Sequence, residues 1–168
     1  MSKFRIFVEK KEYFDVESKG LFGELKENLQ IKSLTNVKIL NIYDIFNIEP
    51  DMLDKAKQTV FSEPPTDLVS EKIDLSGKLY FATEYLPGQF DQRADSAQQC
   101  LGLISDRNEN CKVKSGKLII LDGEISSEEI AKIKKFCINP VESREKDLSV
   151  ELYYDDGSIA EDVAVFDG

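Results

Sequence analysis

Five side chains able to hydrogen-bond or carry charge crowd into one short stretch of this chain. They are Gln89, Asp91, Gln92, Arg93 and Asp95, within Glu84-Tyr-Leu-Pro-Gly-Gln-Phe-Asp-Gln-Arg-Ala-Asp-Ser-Ala-Gln-Gln-Cys100. The chemistry such a set can do is recognition. A turn at Pro87-Gly88 that leads into a helix N-terminus offers free backbone N–H groups to an anion. Arg93, in the first turn of that helix, adds a charge and a planar donor fork. Asp91 and Asp95 weigh against a strongly anionic ligand and suit pairing with Arg93 or with a partner's side chains. The plainer alternative is a strand-to-helix turn capped by Asp91.

Catalytic chemistry has less to stand on. The 168 residues include no histidine, which removes Ser-His-Asp and Cys-His arrangements and the commonest transition-metal ligand. No GxxxxGK[ST] loop or GxGxxG turn is present. The 32 acidic residues show no spacing that singles out a catalytic pair. No catalytic residue and no metal ligand is therefore assigned. Cys100, Cys111 and Cys137 are odd in number and lack CxxC spacing, which points to a reduced, cytoplasmic setting. A net charge of −10 argues against a nucleic-acid partner. No apolar run approaches the ~20 residues of a membrane helix, and the N-terminus reads as a strand rather than a signal peptide.

These side chains need elements to hold them. With 41% hydrophobic and 32% charged residues, the chain suits one folded domain or two small ones. Lys3 to Glu9 alternates, with Phe4, Ile6 and Val8 on one face, and predicts a half-buried strand. Asp15 caps a helix with an apolar face of Val16, Leu21, Leu25 and Leu29. Val37 to Ile48 predicts a strand, bent or folded as a hairpin. Pro50 opens a helix carrying Leu53, Ala56 and Val60, and Glu63-Pro64-Pro65 ends it. Thr66 to Gly77 reads as loop, with strand character near Leu68.

The same order then recurs. Lys78 to Leu86 predicts a strand, and Asp91 caps a helix whose Ala94, Ala97, Leu101 and Ile104 share a face. Arg107 to Asn110 is a polar turn. Val113 to Leu121 is strand-like, with a possible hairpin turn at Ser115-Gly116. Ser126 and Glu129 match a capping box; Ile130, Ile133 and Cys137 form the stripe of that helix, and Asn139-Pro140 ends it. A shift of 76 residues carries Phe14-Asp15 onto Phe90-Asp91, Leu25 onto Leu101, Val37 onto Val113 and Pro64 onto Pro140. The expected fold is α+β: two tandem β-α-β-α repeats, residues 1–76 and 77–146, forming antiparallel, ferredoxin-like sheets with helices on one face. The halves would pack as a fused pseudo-dimer. The second strand-to-helix junction departs toward hydrogen-bonding residues, which makes it the better site candidate. Residues 147–168 carry seven acidic residues and no Lys or Arg, and read as an acidic linker leading into a longer chain, with Ser149 to Tyr154 as a possible strand.

Leu86-Pro-Gly-Gln-Phe-Asp-Gln-Arg-Ala-Asp-Ser-Ala97 closely resembles a segment in the N-terminal domain of large, fused phosphoribosylformylglycinamidine synthases. Tyr13-Phe-Asp-Val-Glu-Ser-Lys-Gly20, Thr59-Val-Phe-Ser-Glu-Pro-Pro65 and Ile138-Asn-Pro-Val-Glu-Ser-Arg-Glu145 resemble that domain too, in the same order and spacing. That domain is itself similar to two tandem copies of the small subunit of the split enzyme, which works as a dimer. The family is an amidoligase of purine biosynthesis that uses ATP, magnesium and glutamine. The resemblance implies a non-catalytic domain that bridges the glutaminase and synthetase domains and helps enclose the ammonia route. It implies no cofactor on this segment. Partner or ligand contacts are expected at Gln89, Asp91, Gln92, Arg93, Asp95, Asn139, Glu142 and Arg144. The alternative reading is a regulatory module that binds a small metabolite between duplicated α+β halves.

Overall fold

Apolar residues at alternate positions of the central strands face two different layers, and that division organises the fold. The computed structural model describes residues 2–150 and 152. Within them the chain is α+β, with four α-helices and one six-stranded antiparallel sheet. The strands are β1 (Lys3–Lys10), β2 (Leu34–Phe46), β3 (Asp67–Ser70), β4 (Leu79–Tyr85), β5 (Lys112–Gly123) and β6 (Ser143–Lys146). The helices are α1 (Val16–Glu27), α2 (Pro50–Thr59), α3 (Gln92–Ile104) and α4 (Ser127–Cys137). The sheet order is β3-β1-β2-β5-β4-β6. Read outward from the β2–β5 seam, the two halves follow the same course, βαβαβ, each ending in a short edge strand.

Odd-numbered positions of β2 and β5 face the helices. Ile45 and Val113, paired across the seam, pack with Ile6, Val8, α2 and α3 in one core cluster. Val37, Ile39, Ile119 and Leu121 pack with α1 and α4 in a second. All four helices therefore lie on one face, and each cluster takes one helix from each half. On the opposite face Phe7, Leu40, Ile42, Ala82, Leu118 and Ile120 are covered by Ile73, Leu75 and Leu148. Burying these side chains removes apolar surface from water at roughly 25 cal/mol per Å².

Local signals in the sequence set the helix starts. Asp15 accepts from Ser18 N at 3.1 Å, and Asp91 accepts from Ala94 N at 3.0 Å. Ser126 and Glu129 form the expected capping box, and Pro50 occupies the first turn of α2. The α1 face is narrower than its pattern suggests. Leu25 is fully buried, Val16 is 78% exposed, and Leu29 lies beyond the last turn.

Three expected features are corrected. Val37 to Ile48 is no hairpin: Leu34–Phe46 runs as one strand, because every residue from Asn36 to Phe46 finds a partner on β5. Ser115-Gly116 is no turn either, and β5 passes straight through it. Gly116 is there for close approach, since a Cβ at that position would sit 2.5 Å from the Thr83 carbonyl oxygen on β4. Each half also carries a fifth element: β3 falls where strand character was expected near Leu68, and β6 where the pattern read only a helix exit. Ser149 to Tyr154 lies only partly within the described residues, and Ser149 and Val150 are not strand.

The opposite face holds a half-buried ionic network. Arg5 Nε donates to Asp44 at 2.7 Å, and Lys146 Nζ bridges Asp44 at 2.8 Å and Glu84 at 3.0 Å. Arg144 Nε donates to Glu84 at 2.8 Å. Burial resists the Glu84 charge, but Lys146 and Arg144 outweigh it and hold the carboxyl below its ordinary value of 4.5. The unfolded chain then takes the proton first, so the stabilisation is full above about pH 4.5 and fades as pH falls through the folded-state value. Asp15 and Asp67 shift in the same direction. Urea midpoints measured from pH 6 to pH 3 are expected to fall steadily, and Glu84→Gln should flatten part of that decline. An unchanged pH slope in the variant would refute the assignment. Gly116→Ala is expected to cost about 1–3 kcal/mol in the same urea assay through forced separation of β4 and β5.

Candidate functional site

Two helices leave a gap over the middle of the sheet. α1 and α3 lie on either side of the seam, and between them opens a cavity of about 840 Å³. Its floor is the centre of the sheet, including Ile39, Tyr43, Ser115, Lys117 and Ile119. Glu17 and Glu24 line it from α1, Gln92, Arg93 and Cys100 from α3, and Phe136 and Glu142 from the far end. A volume of this size is typical of a small-molecule site.

The helix ends that frame the cleft are tied to the sheet by matching bonds. The last β1–β2 pair given by the register is Glu9 with Leu40, which leaves the Ile39 N–H beyond the end of β1. Ser18 Oγ accepts it at 2.8 Å. On the other side β4 reaches Gly116, and the next N–H, Ser115, donates to Asp91 Oδ2 at 2.8 Å. Ser115 Oγ adds a second bond to Asp91 Oδ1 at 2.7 Å. A shift of 76 carries Ile39 onto Ser115 and Ser18 onto Ala94, so the two ties serve corresponding places with different side chains.

Charge in the cleft is unevenly spent. Lys117 pairs with Glu17 across the gap. Arg93 has no carboxylate within ion-pair distance among the described residues. Partial burial disfavours its charge, but a side-chain hydrogen bond with Tyr43 and the nearby Glu17 carboxylate more than offset that, so its pKa lies above the ordinary value. Asn41 pairs with Lys117 across the seam, on the same sheet face as Ile39 and Tyr43. Its Oδ1 is buried and has no hydrogen-bond partner.

The structure distributes the sequence-based site residues over several settings. Gln92, Arg93 and Glu142 line the cleft together. Asp91 faces inward, and its two carboxylate oxygens are engaged by Ala94 and Ser115. Asp95 accepts from Gln99 Nε2 one helical turn on, at 2.8 Å. Gln89 stands on the exposed turn, next to Phe90 at 69% exposure. Asn139 folds the α4 exit, accepting Val141 N on its side chain at 3.1 Å. Arg144 sits in the ionic network with Glu84, on the sheet face away from the cleft. Sequence reasoning missed Glu17 and Lys117. The one signal for them was the 76-residue shift itself, which carries Glu17 onto Arg93 and Asn41 onto Lys117.

The thiols differ in chemistry. Burial pushes Cys111 and Cys137 up to about 11, which leaves them mostly protonated and unreactive at neutral pH. Cys100 is exposed on the wall of the cleft. Among the described residues no group of His, Cys, Asp and Glu is placed to hold a metal ion, and no helix is long and apolar enough to cross a membrane. No family model matches the chain, and no curated protein matches it.

Asp91 thus does structural work in two places. Asp91→Ala removes a helix cap and leaves the Ser115 N–H without its acceptor, for an expected loss of about 2–3 kcal/mol by thermal or urea denaturation. Asp95→Ala, which removes only the half-exposed bond to Gln99 one turn on, should change stability by less than about 0.5 kcal/mol. Equal effects from the two would contradict the inward placement of Asp91.

Proposed function

We propose that this chain is a non-catalytic assembly domain of a phosphoribosylformylglycinamidine synthase, seated between the synthetase and glutaminase parts and helping enclose the route of ammonia between them. The observation that carries this reading is the sheet order, β3-β1-β2-β5-β4-β6. The family resemblance implies two tandem copies of a subunit that works as a dimer. Two βαβαβ halves joined edge to edge through β2 and β5 are what such a fusion would give. The register agrees: Val37 pairs with Leu121 and Ile45 with Val113, and a shift of 76 exchanges the two pairs.

On this reading ATP, magnesium and glutamine are bound elsewhere in the full enzyme. This chain supplies surface and alignment. The Pro87-Gly88 turn is tied to the α4 exit by the Leu86 N–H, which donates to the Glu142 carbonyl at 2.9 Å, and Gln92, Arg93 and Glu142 line one cleft. Exposed Phe90, Val141 and Tyr13 add apolar area suited to a covered surface. A second reading, a regulatory module for a small metabolite, draws on the cleft between α1 and α3.

The test is reconstitution. A synthase lacking the corresponding region should lose glutamine-dependent amidine formation, and the 168-residue chain supplied in trans should restore it. Arg93→Ala is expected to weaken restoration by roughly tenfold, as loss of a charge-assisted contact would. Full activity of the truncated synthase by itself would end the assembly reading.

A further inference from the structure

The cleft between α1 and α3 has the makings of a ligand site that the assembly role does not require. Its volume, about 840 Å³, suits a small molecule. Its walls are mixed. Val16, Leu21, Val60, Ile39, Ile119 and Phe136 give apolar surface, and Val16 and Phe136 stay exposed at 78% and 42%. Two cations enter it, and they are differently placed. Lys117 is held by Glu17. Arg93 has no carboxylate within ion-pair distance among the described residues, and Tyr43 and Glu17 lie near enough to favour its charge.

A guanidinium fork with donors to spare is matched by a carboxylate, which takes two parallel N–H bonds. A dianionic phosphate fits less well. Glu17, Glu24 and Glu142 line the same space, and the chain carries a net charge of −10. A single negative charge set beside Arg93 is the largest the cleft balances.

We infer that the cleft binds a small amphipathic monocarboxylate. Its carboxylate pairs with Arg93, and its apolar body rests on the Val16–Phe136 walls. Glu17 competes for Arg93 from within, as a resident carboxylate that the ligand must outbid.

N-acetyl-phenylalanine is the probe, titrated into the whole chain and followed by amide NMR shifts and by calorimetry. N-acetyl-phenylalaninamide, which lacks the carboxylate, is the control. Saturable binding of the acid is expected, with shifts at Arg93, Tyr43 and Lys117, and about tenfold weaker binding of the amide. Arg93→Gln should erase the preference for the acid, and Glu17→Gln should strengthen acid binding. Cys100 gives a separate readout, because the other two thiols are unreactive: its alkylation should slow as the acid saturates the cleft. Melting curves of both variants confirm that they are folded. No saturable binding up to about 10 mM, or equal binding of acid and amide, overturns the inference. Because the readouts need no synthase activity, failure here leaves the assembly reading standing, and failure of reconstitution leaves this site standing.

Discussion

Everything in this fold hangs on the pairing of β2 with β5. It runs from Leu34 opposite Gly123 to Phe46 opposite Lys112, and it is the place where the two halves become one sheet. Each half alone would expose a long central strand as an open edge, rich in Ile and Leu, and such an edge is a template for aggregation. Joined, the two edges satisfy each other. The helix-side clusters depend on the same seam, since each draws residues from both strands and one helix from each half. The halves are thus bound by backbone hydrogen bonds and by shared cores.

The seam also fixes what can stand above it. The strands β1 and β4 end one residue past the seam's centre, at Leu40 and Gly116, and the next N–H groups, Ile39 and Ser115, are taken by side chains from the starts of α1 and α3. That anchors the two helix N-termini beside the midline and keeps the gap between them open. The opposite face is treated differently. Its apolar centre is roofed by the chain near Ile73, Leu75 and Leu148, and its charges are paired among Arg5, Asp44, Glu84, Arg144 and Lys146. One face thus carries the large cleft, and the other has its apolar centre covered and its charges paired.

How much of this was legible in the sequence depended on whether the deciding partner lay nearby in the chain. Asp15, Asp91, Pro50 and the Ser126–Glu129 box were legible because a cap is satisfied within three residues. The α+β class and the order of the main elements followed from periodicity. Gly116 misled, because a glycine beside a serine signals a turn locally, and the reason for it, the Thr83 carbonyl, belongs to another strand. The edge strand β3 showed only as strand character near Leu68, and β6 was missed, because four residues are too few to show alternation. The ionic network could not be assembled without the strand order, although Asp44, a lone charge in the apolar run Ile42-Tyr-Asp-Ile-Phe46, was a clue that something paired it. The cleft was the least legible part. Glu17 and Lys117 lie 100 residues apart and meet only when both halves are in place.

The cleft straddles the line about which the halves correspond, and its residues do not respect that correspondence. Glu17 and Arg93 hold the same place in α1 and α3, yet one is an acid and the other a base. Asn41 and Lys117 hold the same place in β2 and β5, and again only one is charged. A pair of identical subunits must show every residue twice across its axis, so a guest lying there meets a palindrome and can enter either way round. A chain that joins its own halves is free of that constraint. Here the acid lies on one bank and the base on the other, which gives the groove a head and a tail, and whatever lies in it is read in one direction only.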